Sequence, residues 1–145
     1  MENFDKILKA YQESNNFGNM LGMKLERVKP GHVIYSMKIE DKHLATPKAA
    51  HGGSVAALMD GLLGVTALSE VAEDKNVVAT IEFKITFLNP GINGNNLIAE
   101  GKTLRKGKKI VMTEGKIIDQ QTQEIVAVAH GTFNIYPAVK AGIEI

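Results

Sequence analysis

From Gly52 to about Val71 the chain is mostly alanine, leucine, methionine and valine, with glycines at 61 and 64 and helix-compatible Ser54 and Thr66. Asp60 is the sole formal charge between Ala49 and Ser69. A helix apolar on nearly every side belongs inside a protein, so the remaining residues have to cover it. This constrains the fold more than any other feature.

The cover is written as strands. Val77, Ala79, Ile81, Phe83, Ile85 and Phe87 alternate with Val78, Thr80, Glu82, Lys84 and Thr86, a period of two over eleven residues. Turn-forming breaks at Asn89-Pro90-Gly91, Gly94 to Asn96, Arg105 to Lys108 and Asp119 to Thr122 predict further strands at about 97–104, 109–119 and 124–136. Turns this short imply antiparallel neighbours. Upstream, Lys29-Pro30-Gly31 separates Lys24–Val28 from His32–Ile39 as a hairpin, and residues 40–50, with Pro47 and no periodicity, read as a loop. Phe4, Ile7, Leu8 and Tyr11 recur at helical spacing and predict a short amphipathic helix near residues 3–14, ended by Asn15 to Gly18. The expected class is α+β, with the long helix on the concave side of an antiparallel sheet. Residues 1–145 read as one domain.

Charge narrows the ligand. Lysine and arginine number 17 and aspartate and glutamate 16, so no excess draws the chain to nucleic acid or an anionic membrane, and a small molecule is expected. The absence of cysteine removes disulfides, a thiolate nucleophile and cysteine-built metal sites, and fits the cytoplasm. Residues 1–15 have no signal-type apolar run, and Val55–Leu68, interrupted by Asp60, is shorter than the roughly 20 residues that span a bilayer. A soluble protein is expected.

A carboxylate in such a helix costs several kcal/mol unless it is paired or functional. Asp60 is therefore either a structural hydrogen-bonding group or the centre of a site. At the start of the same helix stand His51-Gly52-Gly53, where the first backbone N–H groups lack partners and the dipole is positive. Those amides either allow a tight turn into the helix or stabilise an oxyanion. Gly52 and Asp60 lie about 12 Å apart along one helix, so if they act on one carbonyl they come from two subunits of a dimer. His32, His43, His51 and His130 show no metal-ligand spacing, no metal is expected, and Ser54 lacks a nucleophile-elbow context.

The string Ala50-His51-Gly52-Gly53 through Leu58-Met59-Asp60-Gly61 resembles the signature of the hotdog-fold thioesterases related to the phenylacetate-degradation enzyme. The resemblance runs over about residues 17–136. It takes in Phe17 to Gly22, His43-Leu44, Thr80 to Phe83, Phe87 to Pro90 and Gly131-Thr132-Phe133. It implies a long helix wrapped by a curved sheet, a homodimer that pairs into a homotetramer, and hydrolysis of an acyl-CoA without a cofactor. By the same resemblance the Gly52 amide polarises the thioester carbonyl, Asp60 of the partner chain activates water or attacks directly, Thr80 orients that water and His51 holds the helix start. Gly53, Ala45, Thr46, Met59 and Leu63 are expected to line the substrate, with acyl specificity set around Met59, Leu62, Leu63 and Phe83. Lys106 and Lys108, in a lysine-rich turn, are either solvated or hold coenzyme A phosphates.

One departure stands out: the family pattern has asparagine six residues before the signature histidine, where this chain has Ala45. That substitution supports an alternative, an acyl-CoA-binding module without catalysis. A hydratase would need a histidine and a carboxylate acting together, but His51 and Asp60, nine residues apart, point about 180° from each other on a helix. A DNA-binding regulator would need more than the short N-terminal helix.

Overall fold

The computed structural model describes all 145 residues. Helix α1 (Glu2–Ser14) is followed by α2 (Asn16–Leu21), strands β1 (Lys24–Lys29) and β2 (His32–Lys38), a small hairpin of β3 (Leu44–Thr46) and β4 (Ala49–Ala50), and the central helix α3 (Gly52–Val71). Four long strands complete it: β5 (Asn76–Phe87), β6 (Asn96–Lys106), β7 (Ile110–Asp119) and β8 (Ile125–Pro137). The six longer strands form one antiparallel sheet in the order β1-β2-β6-β7-β8-β5.

Small residues at the middle of the sheet let α3 sit close to it. Gly101 of β6 pairs with Gly115 of β7, which pairs with Ala129 of β8. A Cβ on Gly115 would come within 2.8 Å of Leu62 and Met59, and one on Gly101 would strike Thr66. Leu58, Met59, Leu62 and Leu63 are fully buried on this line. Each such side chain contributes about 1.5–3 kcal/mol. The buried side-chain polar groups of α3 are satisfied: Thr66 Oγ1 donates to Leu62 O, and Ser69 Oγ donates to Thr66 O and accepts from Gly31 N; Thr113 Oγ1 also donates to Leu63 O. With its following turn α3 is long and apolar enough to cross a membrane, a length that Val55–Leu68 alone does not reach, but 67% of its most apolar 18-residue window is buried within the fold.

Three expectations change. Asn15 ends the first helix as expected, but the residues after it form a second helix and not a plain turn, because the Asn15 side chain accepts from Gly18 N–H and Gly22, at φ +80°, closes it. The segment 40–50 is pinned and not a plain loop: buried His43 accepts from Glu40 N–H at Nδ1 and donates from Nε2 to Leu21 O. And β5 is not the neighbour of β6. Residues 88–95 run under the start of α3, where Ala50 N–H donates to Gly91 O and Ala49 bridges Ile92, so β5 reaches the far edge beside β8.

The alternation in β5 also changes phase. Thr80 pairs with Phe133 and Glu82 with Thr132, leaving Ile81 in a bulge. A bulge exchanges the two faces of a strand. Thr80 therefore turns with buried Phe133 toward α3, and Phe83 and Ile85 face inward beyond the bulge, while Ile81 is 56% exposed.

Candidate active site

His51 caps α3. Its Nδ1 accepts from Gly53 N–H at 2.7 Å, and its carbonyl accepts from Ser54 N–H at 2.9 Å and Val55 N–H at 3.4 Å. Its own N–H donates to His43 O, which also receives the Ser54 hydroxyl. Among the first-turn amides only Gly52 N–H has no acceptor. Gly52 is exposed, and the nearest atoms to a Cβ there belong to the Phe87 ring, 3.7 Å away. A free donor at the positive end of a twenty-residue helix is an anion-binding position.

Two turns on, Asp60 is partly exposed and accepts a 2.8 Å hydrogen bond at Oδ1 from the Thr80 hydroxyl. It is thus not the buried carboxylate the composition of α3 suggests. It borders a cavity of about 290 Å³ lined by Tyr11, Gly61, Gly64, Leu68, Val78, Phe133 and Tyr136 among others. Burial, and then the nearby Asp60 charge, push the Tyr11 phenol above its ordinary value. Tyr11 and the C-terminal residues of this cavity escaped sequence reasoning. Tyr11 counted there as one more apolar position of an amphipathic helix.

The other expected residues are spread out. Gly53 is spent on the His51 cap. Ala45 and Thr46 are exposed in β3, Thr46 pairing with Ala49 in the hairpin that precedes α3. Met59 and Leu63 are wholly buried toward Gly115, so they pack the core and do not line the Asp60 cavity; Gly61, Gly64 and Leu68 do. Lys106 donates to Glu70 O at 2.8 Å and lies 3.7 Å from Asp74, a cation at the negative end of α3. Lys108 is exposed in the adjoining turn. Within one chain the Lys106 end of α3 is about 27 Å from Gly52, so these lysines and the helix start do not share a site. No three His, Cys, Asp or Glu side chains converge as a metal ion would require.

Comparison with known proteins agrees with this fold. The chain is 27% identical over 123 residues to human acyl-coenzyme A thioesterase 13, covering 84% of this chain and 86% of that protein. To the acyl-coenzyme A thioesterase PaaI of Escherichia coli K12 it is 26% identical, with 84% of each covered. The E. coli PaaI structure superposes with a TM-score of 0.84 at 22% identity, over 93% of this chain and 94% of that one. A hypothetical thioesterase of Streptococcus pneumoniae TIGR4, solved with coenzyme A, gives a TM-score of 0.72 at 23% identity over 79% and 89%. A central helix wrapped by an antiparallel sheet, with these neighbours, is the hotdog fold, and the class is that of thioester hydrolases. A family model described as the thioesterase superfamily matches residues 48–126, and the chain belongs to that superfamily.

Proposed function

We propose that this chain hydrolyses an acyl-coenzyme A to the free acid and coenzyme A, with Asp60 as the base and the Gly52 amide as the oxyanion donor. One observation carries the reading: the one charge within the apolar stretch of α3, Asp60, is held by Thr80 beside a cavity, while Gly52 N–H stands without an acceptor. The human and E. coli relatives are named as acyl-coenzyme A thioesterases, and a structural neighbour was solved with coenzyme A.

Thr80 occupies Oδ1, which leaves Oδ2 to take a proton from water. The water oxygen bonds to the thioester carbon, and the carbonyl oxygen gathers charge against Gly52 N–H. When the tetrahedral species collapses the carbon–sulfur bond breaks, and the proton held by Asp60 passes to the departing thiolate. A thiol of ordinary pKa about 8.5 leaves readily, so no stronger acid is needed.

The two groups meet only between subunits. Strand β5 is an open edge of the sheet and carries Ile81, 56% exposed, and Phe87, 50% exposed. Pairing two such edges about a two-fold axis continues the sheet and covers these side chains. With the axis beside Phe83 and Lys84, Phe87 of one strand stands opposite Thr80 of the other. Gly52 packs near Phe87 and Asp60 is bonded to Thr80, so this register brings the helix start of one subunit to the carboxylate of the next. Pairing of such dimers into a tetramer belongs to the same proposal.

The test is coenzyme A release, followed with a thiol reagent, from short, medium, long and aromatic acyl-CoAs, for the wild type beside Asp60→Ala. Asp60-dependent release is the expected result. Acyl-CoA retained by the wild type without release would make the chain a binding module, with Ala45 as the reason.

A further inference from the structure

We propose that the cavity beside Asp60 is the acyl-chain pocket, that the chain's own C-terminal segment closes its far end, and that it selects uncharged aliphatic acyl groups of medium length. This rests on Asp60 as the catalytic carboxylate, and it adds the substrate class and the residues that set it.

Length argues for a chain and against a single ring. The cavity runs from Asp60 along the Gly61, Gly64 and Leu68 face of α3. Asp60 to Leu68 is eight residues, about 12 Å of helix, which takes on the order of eight to ten carbons, since a zigzag chain of about 1.5 Å bonds advances only about 1.25 Å per carbon. Its volume of about 290 Å³ is nearly twice the ~150 Å³ that holds a benzene molecule. Apart from Asp60 at the mouth, no charged side chain lines it. A second carboxylate at the tail of a dicarboxylic acyl group would be stranded there.

The far wall is made by residues that come late in the chain. After β8 a single turn over Ala138–Ala141 ends at Gly142, whose φ of +81° reverses the backbone, and Ile143 N–H donates to Ala138 O. The Ile143 side chain thereby packs back on the core and borders the cavity. Beyond it a second, surface cavity shares Ser14, Ala141 and Ile143 with the first. Ile143 thus stands between a closed pocket and an open groove. The width is set by Gly64, where a Cβ would already lie 3.5 Å from the Phe133 ring, so a larger side chain projects into the pocket.

The experiment compares kcat/KM for butanoyl-, octanoyl-, dodecanoyl-, hexadecanoyl- and phenylacetyl-CoA in the full chain, in Ile143→Ala and in Gly64→Val. The wild type should peak at octanoyl. Ile143→Ala should raise the dodecanoyl-to-octanoyl ratio, and Gly64→Val lower the octanoyl-to-butanoyl ratio, each by about tenfold. Ratios within one preparation are unaffected by loss of folded enzyme, and the two variants act in opposite directions. Asp60-dependent turnover that peaks on phenylacetyl or hexadecanoyl, or ratios that neither variant moves, would overturn the pocket and leave the thioesterase reading intact. No turnover of any acyl-CoA would overturn both.

Discussion

Thr80 Oγ1 donates to Asp60 Oδ1 at 2.8 Å, tying the edge strand β5 to the only charge in the interior turns of α3. The bond fixes which carboxylate oxygen faces water, so the hydroxyl and the carboxylate should fail to different degrees. Asp60→Asn keeps the shape and removes the base, and kcat should fall by about 10²–10⁴. Thr80→Val removes only the positioning bond and should cost about 10-fold, with Thr80→Ser restoring most of the rate. Equal losses in Thr80→Val and Asp60→Asn would mean that Thr80 does more than hold the carboxylate.

Gly52→Pro isolates the free amide. Proline is favoured at the first position of a helix, and it requires an extended residue before it. His51 at φ −59° and ψ 137° meets that requirement, and the nearest atom to a Cβ at 52 is 3.7 Å away. Stability should stay within about 0.5 kcal/mol of wild type. Because the N–H is gone, kcat should drop about 10²–10³. Thermal melts beside turnover separate the two effects, and a fully active proline variant would remove Gly52 from the mechanism.

For His51 the hydrogen bonds point to capping. His51→Ala should destabilise the fold by about 1 kcal/mol, and His51→Asn, which also accepts from a first-turn amide, should recover most of that loss in chemical denaturation. If the asparagine variant were stable but as inactive as the alanine one, His51 would have to touch the substrate.

Asp119 should contribute to the acid sensitivity of the fold. It is buried, and burial alone would raise its carboxyl, but donation from Asn95, Thr122 and Gln121 holds it below its ordinary value. A depressed carboxyl stabilises the fold fully above its unfolded pKa, near 4, and that contribution disappears as pH falls through the lower folded value. Asp119→Ala should cost about 1–3 kcal/mol at neutral pH, since three donors lose their acceptor. The loss should narrow as pH drops below about 4. A penalty independent of pH in denaturation series would show that shape and not charge matters there.

The central helix was legible because nothing but a surrounding sheet can hold an apolar surface on every side, and Asp60 because a lone charge stands out against it. The start of α3 was legible from His51-Gly52-Gly53. What stayed hidden depends on contacts distant in sequence. The Ile81 bulge is set by the register of β5 on β8, and no local pattern announces it. Periodicity could not say which side of an all-apolar helix meets the sheet; Gly101 and Gly115 decide that, and Met59 and Leu63 lie on that side, away from the lining of the Asp60 cavity. Tyr11 and Ile143, from opposite ends of the chain, meet at one cavity.

Complementation between inactive subunits tests the separation of Gly52 and Asp60. In one chain the two lie about 12 Å apart along α3 and cannot hold the same carbonyl. A mixed dimer of Asp60→Ala and Gly52→Pro chains contains one site with both groups intact, since the first chain offers its Gly52 amide and the second its Asp60. The other site lacks both. Refolding the two inactive variants together in equal amounts gives half mixed dimers, each with one of two sites working, so about a quarter of wild-type activity should return. If each site were built within one subunit, every site would carry one defect and mixing would restore nothing.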